Sequence, residues 1–191
     1  MARRLEGWPA MRKLVLFAAC FASTLCWAGE IRITSDKTVM FSDKTILSNV
    51  INSRDFTVLM KAIKSVKLEY ALMRPGAFTL FAPDNTAFSK LPADISEDLF
   101  KRVNRDEMAK VLACHIIAGT ALAGANLHDR VADGTSVEIE TLGGCILTVS
   151  NKAGTLFVSD ESGHQARIIE QDITQANGMI EMIDRVLLPN T

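Results

Sequence analysis

The sequence predicts an α+β fold with its helices gathered ahead of its strands, and three observations carry that expectation. Apolar residues between Ile46 and Cys114 recur at helical spacing, whereas beyond Gly119 they alternate with polar ones. Turn dipeptides and clusters at Gly143-Gly144, Asn151–Gly154, Ser162-Gly163 and Asn177-Gly178 cut the second region into short strands. Strands and helices do not alternate as they must in a parallel nucleotide-binding sheet.

Taken in order, residues 29–44 are polar with scattered Ile, Val and Met and read as an arm leading into the domain. Ile46, Val50 and Ile51 have helical spacing. Asp55 is placed to cap the next helix, in which Phe56, Leu59, Met60, Ile63 and Val66 recur at i, i+3, i+4, i+7 and i+10. Thr57, Lys61 and Lys64 fall on the opposite side and read as a solvated face. Pro75-Gly76 turns the chain into an apolar run, Phe78–Phe81, stopped by Pro83, which cannot donate into a sheet ladder. Asp84 and Asn85 then offer side-chain oxygens to a turn or short helix carrying Phe88 and Leu91. Residues 94–103 read as a short helix, and Asn104 with Glu107 as a capping box for the helix running to Cys114.

The strands follow. Val137, Ile139 and Thr141 alternate with Glu138 and Glu140; Cys145, Leu147 and Val149 share parity on the return. For Ile139 and Val149 to face one core, the loop between them must hold an odd number of residues, which favours three. Further strands are expected at 155–159, 166–173 and 179–188.

Two blocks, Phe78 to Pro92 (FTLFAPDNTAFSKLP) and Asn177 to Pro189 (NGMIEMIDRVLLP), closely resemble the signature segments of the fasciclin domain. The likeness runs from Thr45 to Pro189. Between the signatures, Val111–Gly119 is similar to that family's helix-to-strand segment built around a Tyr-His pair, with Cys114 at the tyrosine position and His115 fitting the pattern. The resemblance implies a β-sandwich or wedge with helices packed along one edge, in a domain spanning 45–190. It also implies a non-catalytic adhesion or protein-interaction module, partnered by a protein or by a matrix or envelope component. Partner contacts would fall on Asp84, Asn85, Asn177, Gly178 and Asp184 of the signatures and on His115. Residue chemistry alone favours caps and turns for Asp84 and Asn85 and a structural bond at the helix-to-strand junction for His115. Two alternatives stay open: a periplasmic ligand-binding or enzymatic protein with a pocket near His115, and a structural envelope protein.

The N-terminus reads as a secretion signal over 1–28. Arg12 and Lys13 precede an uncharged apolar stretch from Leu14 to Trp27, and Cys26-Trp27-Ala28 ends it with small residues flanking a large one. Met11 is an alternative start, and Cys20 an alternative lipidation site. The stretch falls short of the ~20 residues of a spanning helix. Cleavage removes Arg3, Arg4, Arg12, Lys13 and Glu6 from 21 basic and 22 acidic residues, leaving 17 and 21 and a net charge of −4. That balance disfavours nucleic acid and anionic membrane as partners, and the location expected is the periplasm, the cell surface or beyond it.

His115, His128 and His164 stand apart in the sequence, with no i, i+4 ligand pair beside an acid, so no metal site is expected, and no cofactor. Cys114-His115 is not a catalytic dyad, because neighbours on a helix point about 100° apart. Glu138 and Glu140 lie on one strand face, in solvent. Cys114 and Cys145, the two cysteines left after cleavage, read as buried free thiols. An oxidising compartment permits a bond, but nothing in the sequence brings their Cα atoms within the ~4.4–6.8 Å a disulfide needs.

Overall fold

The computed structural model describes residues 31–34, 38–101, 104–119 and 130–190. The proposed signal segment and His128 lie outside them. The segment read as a polar arm forms a hairpin instead, β1 (Ile31–Ile33) against β2 (Val39–Phe41). Met40 turns inward and is buried, and Thr34 donates to the Asp55 carboxylate at 2.8 Å. That bond explains why Asp55 does not cap a helix. Its carboxylate faces the hairpin, and Phe56 occupies the cap position with no side-chain cap bond.

A helical layer follows: α1 (Ile46–Asn52), α2 (Thr57–Ser65), α3 (Glu69–Met73), α4 (Asn85–Ser89), α5 (Ala93–Leu99) and α6 (Arg105–Ala113). Thr45 caps α1 through the Ser48 N–H, and Asp84 caps α4 through the Ala87 N–H. Asn104 sits at φ −102°, ψ 29° ahead of α6 and makes no side-chain cap bond. The expected capping box is therefore absent, because an N-cap side chain reaches its N–H from an extended backbone.

The strands are β3 (Phe78–Pro83), β4 (Ile116–Ala118), β5 (Ser136–Glu140), β6 (Ile146–Lys152), β7 (Thr155–Ser159), β8 (Gln165–Gln175) and β9 (Gly178–Ile183). They form one sheet in the order β4-β3-β9-β8-β7-β6-β5. Among the described strands of this sheet, only β3 and β9, the two signature strands, pair in parallel; the other neighbours are antiparallel. Strand β8 bends the sheet. Gln165–Arg167 pair with β7 and the rest with β9, across two register shifts, with Asp172 at φ 54°.

The bend folds the sheet into a wedge with two cores. Leu80, Ala82, Ile180 and Met182 point toward the helices, where they meet Phe56, Leu59, Ile63 and Leu112. Phe81 and Ile183 point the other way, into the wedge, with Leu147, Val149, Leu156 and Val158. This is the α+β class that the sequence predicts, in the wedge with helices along one edge that the family resemblance implies.

The wedge is tied shut at one end. Thr141 donates its N–H to the Cys145 carbonyl, leaving Leu142–Gly144 as the expected three-residue loop. That tip returns to the far edge of the sheet: the Leu142 N–H donates to Ile116 and the Gly143 N–H to Ala113. A Cβ on Gly143 would stand 2.9 Å from the Cys114 nitrogen, so the approach needs glycine. The same docking corrects the expectation of free thiols. Cys114 and Cys145 form a disulfide, their Cα atoms 5.4 Å apart. The contact joins the end of α6 to the β5–β6 loop, 31 residues apart in sequence, a closeness no local pattern encodes.

Candidate functional site

The polar signature residues fasten strands to helices. Asn85 accepts from the Val58 N–H and the Thr57 hydroxyl at 3.0 Å each, capping α2 from a distant segment, and donates to the Arg54 carbonyl at 2.7 Å. Asn177, 5% exposed, does the same on the other side. It accepts from the Ile46 N–H that opens α1 and donates to the carbonyls of Leu72 and Arg74 at the end of α3. Both asparagines thus satisfy helix-end groups that would otherwise lack partners.

Gly178 has φ 147°, and a Cβ there would lie 1.9 Å from the Phe78 carbonyl oxygen. Glycine is required where β9 starts against β3. Asp184 accepts the Arg167 N–H at 2.8 Å and meets the Lys90 ammonium at 3.4 Å, while Lys90 also donates to the Asp184 carbonyl. Asp84 and Asp184 thereby cap or pin the two signatures at one end of the β3–β9 pair.

His115 is fully buried. Nδ1 lies 2.7 Å from the Val111 carbonyl, and Nε2 accepts the Leu187 N–H at 3.0 Å, which fixes the proton on Nδ1. Burial lowers its pKa from 6.5 to about 4, partly offset by the Val111 bond and the Asp160 charge. The ring is therefore neutral and ties the end of α6 to the C-terminal segment. Glu138 and Glu140 are exposed on β5, as expected. With Arg130, Val137 and Leu142 they border a shallow cleft of about 530 Å³ between the edges β4 and β5.

A second cleft, of about 360 Å³, lies over the segments that His115 joins. Its walls are Asp94, Ile95 and Leu99 of α5, Glu107 and Val111 of α6, Ser162 and His164 of the β7–β8 turn, and Leu188 and Pro189. The sequence leaves open a pocket near His115 but points to none of these walls, and it presents His164 as solitary. In the structure His164 Nδ1 is 3.3 Å from Asp160 Oδ2. Asp160 is 7% exposed and accepts the Leu188 N–H at 3.1 Å and the His164 N–H at 2.9 Å. The signals available were the i, i+4 spacings of Asp160 with His164 and of Glu107 with Val111. Among the described residues, no group of three metal-ligating side chains is assembled.

One further buried group is chemically distinctive. Glu181 on β9 is 1% exposed, beside Phe81 in register, and both its oxygens lie 3.2 Å from the Asp172 N–H. Burial, and secondarily the negative Asp172, raise its pKa from 4.5 to about 8 against the opposing effect of that hydrogen bond. It is protonated at neutral pH.

The family model for the Fasciclin domain matches residues 54–189. Protein sll1483 of Synechocystis sp. is 35% identical over 148 residues, 78% of this chain and 75% of that protein. The cell surface glycolipoprotein MPB83 of Mycobacterium bovis is 35% identical over 114 residues, 60% of this chain and 44% of that protein. A solved FAS1 domain pair from the insect cell adhesion molecule fasciclin I matches with a TM-score of 0.60 at 18% identity. The match covers 76% of this chain and 51% of the solved one, so the chain spans about half of that pair. With both signature strands paired at the centre of one wedge and the family pattern matched from Arg54 to Pro189, the chain belongs to the fasciclin domain family.

Proposed function

We propose that this chain is a non-catalytic protein-interaction module of the adhesion type, acting outside the cytoplasm on a protein or envelope component. The observation that carries the reading is the use made of the signature residues. Asp84, Asn85, Asn177, Gly178 and Asp184 join strands to helices, and His115 joins α6 to the C-terminal segment. The signatures thus specify a rigid frame, and a rigid frame loses little freedom on binding. His115 and Asn177 are buried, so in this reading they shape the contact surface from beneath, while Asp84, Asn85 and Asp184 border it at the ends of β3 and β9.

The family and the surface location named for the Mycobacterium bovis relative support the assignment. No helix among the described residues is long and apolar enough to cross a membrane. Export is the companion proposal, with cleavage after Ala28. Intact-mass measurement of the exported chain checks it; a mass retaining Leu14 to Trp27 refutes it.

Cross-linking and pull-down of the mature chain in its native envelope tests the function. Recovery of one saturable partner is expected. Absence of a saturable partner, together with turnover of a small molecule by the purified chain, overturns the reading.

A further inference from the structure

We propose that the cleft between α5, α6 and the C-terminal segment receives a lysine or arginine side chain of the partner protein, seated with an adjoining apolar residue of that partner. The inference rests on the reading of the chain as a protein-binding module and adds the chemistry of what it binds.

Charge and shape point the same way. The floor is apolar, made by Ile95, Leu99, Val111 and Leu188. Two exposed carboxylates, Asp94 of α5 and Glu107 of α6, line it, and among the described residues no lysine or arginine does. Neither carboxylate is engaged in a hydrogen bond or ion pair among the described residues. An apolar floor under a mouth of unpaired negative charge fits a side chain with an aliphatic stem and a cationic head. An acidic segment would meet like charge and bury apolar surface without a counter-ion.

Three of the walls, those of α6, the β7–β8 turn and the C-terminal segment, are tied together before any ligand arrives. His115 joins Val111 of one wall to the Leu187 N–H behind another. Asp160 holds the Leu188 N–H and the His164 backbone and ring together, so the turn wall and the C-terminal wall move as one. At about 360 Å³ the cleft is at the small end of ligand pockets and takes one long side chain and a neighbour. The remainder of the partner contacts the surface outside it.

The test uses the mature chain, isotope-labelled, titrated with the peptide acetyl-Ala-Leu-Lys-Leu-Ala-amide and followed by backbone NMR shifts. Shifts are expected at Ile95, Val111, Ser162 and Leu188. Binding should weaken about tenfold when the peptide lysine becomes norleucine or glutamate. It should weaken about as much in the Asp94→Asn/Glu107→Gln double variant, whose thermal midpoint serves as the folding control. Arginine in place of the peptide lysine should preserve binding. Equal binding of the glutamate peptide, shifts elsewhere on the surface, or no shifts at all would overturn the inference. Partner capture run with the same double variant separates the two readings. Undiminished capture leaves the interaction module standing and removes the cation cleft. Peptide binding in the cleft without a saturable partner keeps the cleft and overturns its assignment to a partner protein.

Discussion

Two buried groups with displaced pKa values give the fold a pH dependence of defined shape, and replacing Glu181 with glutamine isolates its alkaline side. In the folded chain Glu181 titrates at about 8 instead of 4.5. Between those values the folded state holds a proton that the unfolded state has lost, so stability falls as pH rises across the window and levels off above 8. At ~1.4 kcal/mol per pH unit, the fall amounts to about 5 kcal/mol, a large share of a domain's stability. His115 works in the opposite sense. Its folded value of about 4 lies below 6.5, so its contribution is complete above 6.5 and is lost as pH falls toward 4. The two slopes oppose each other between 4.5 and 6.5 and leave Glu181 alone between 6.5 and 8.

Glutamine preserves the shape of the protonated carboxyl and an acceptor for the Asp172 N–H, but does not ionise. Urea denaturation of the wild type and of Glu181→Gln, at half-unit steps from pH 4.5 to 9, gives the difference curve in which all other groups cancel. The wild type should lose about 3–5 kcal/mol relative to the variant between pH 4.5 and 8, with no further loss above. A flat difference curve would refute the argument, because it would mean that Glu181 reaches water or a cation in the folded chain.

Four further outcomes follow from the geometry. Gly178→Ala should cost more than about 4 kcal/mol in chemical denaturation, or prevent folding, since its Cβ meets the Phe78 carbonyl at 1.9 Å. The Cys114–Cys145 disulfide, spanning 31 residues, should contribute about 3–4 kcal/mol. The unfolded chain should show no reactive thiol among these two until a reductant is added, and two free thiols would refute the bond. Asn177→Ala should cost about 2–3 kcal/mol, because it strands the Ile46 N–H and the Leu72 carbonyl in a buried setting. Asn85→Ala should cost less, at a half-buried site.

What was legible in the sequence is what neighbouring residues decide. The parity of Ile139 and Val149 demanded an odd loop, and Leu142–Gly144 is that loop. Pro83 and Asp84 ended a strand and capped a helix through bonds spanning three residues. Asp55 and Asn104 show the limit of the same reasoning. Each has the side chain of a cap, but one is drawn to Thr34 of a hairpin 21 residues away and the other has the wrong backbone angles. The site is less legible still, because its parts meet only after the sheet bends. His115 finds Leu187 across 72 residues, and Asp160 finds Leu188 across 28. Cys114 reaches Cys145 only because a hairpin tip lands on the opposite sheet edge, which in turn needs Gly143 to have no side chain. Glu181 sits in a strand whose apolar neighbours suit either face, so nothing local marks it as buried; the bulge at Asp172 that brings an N–H to its carboxyl belongs to another strand. Each of these residues takes its chemistry from a distant partner. The bend in β8 is what the sequence would have had to reveal for the cleft to be read, and its only local trace is an 11-residue strand whose polar positions break the alternation.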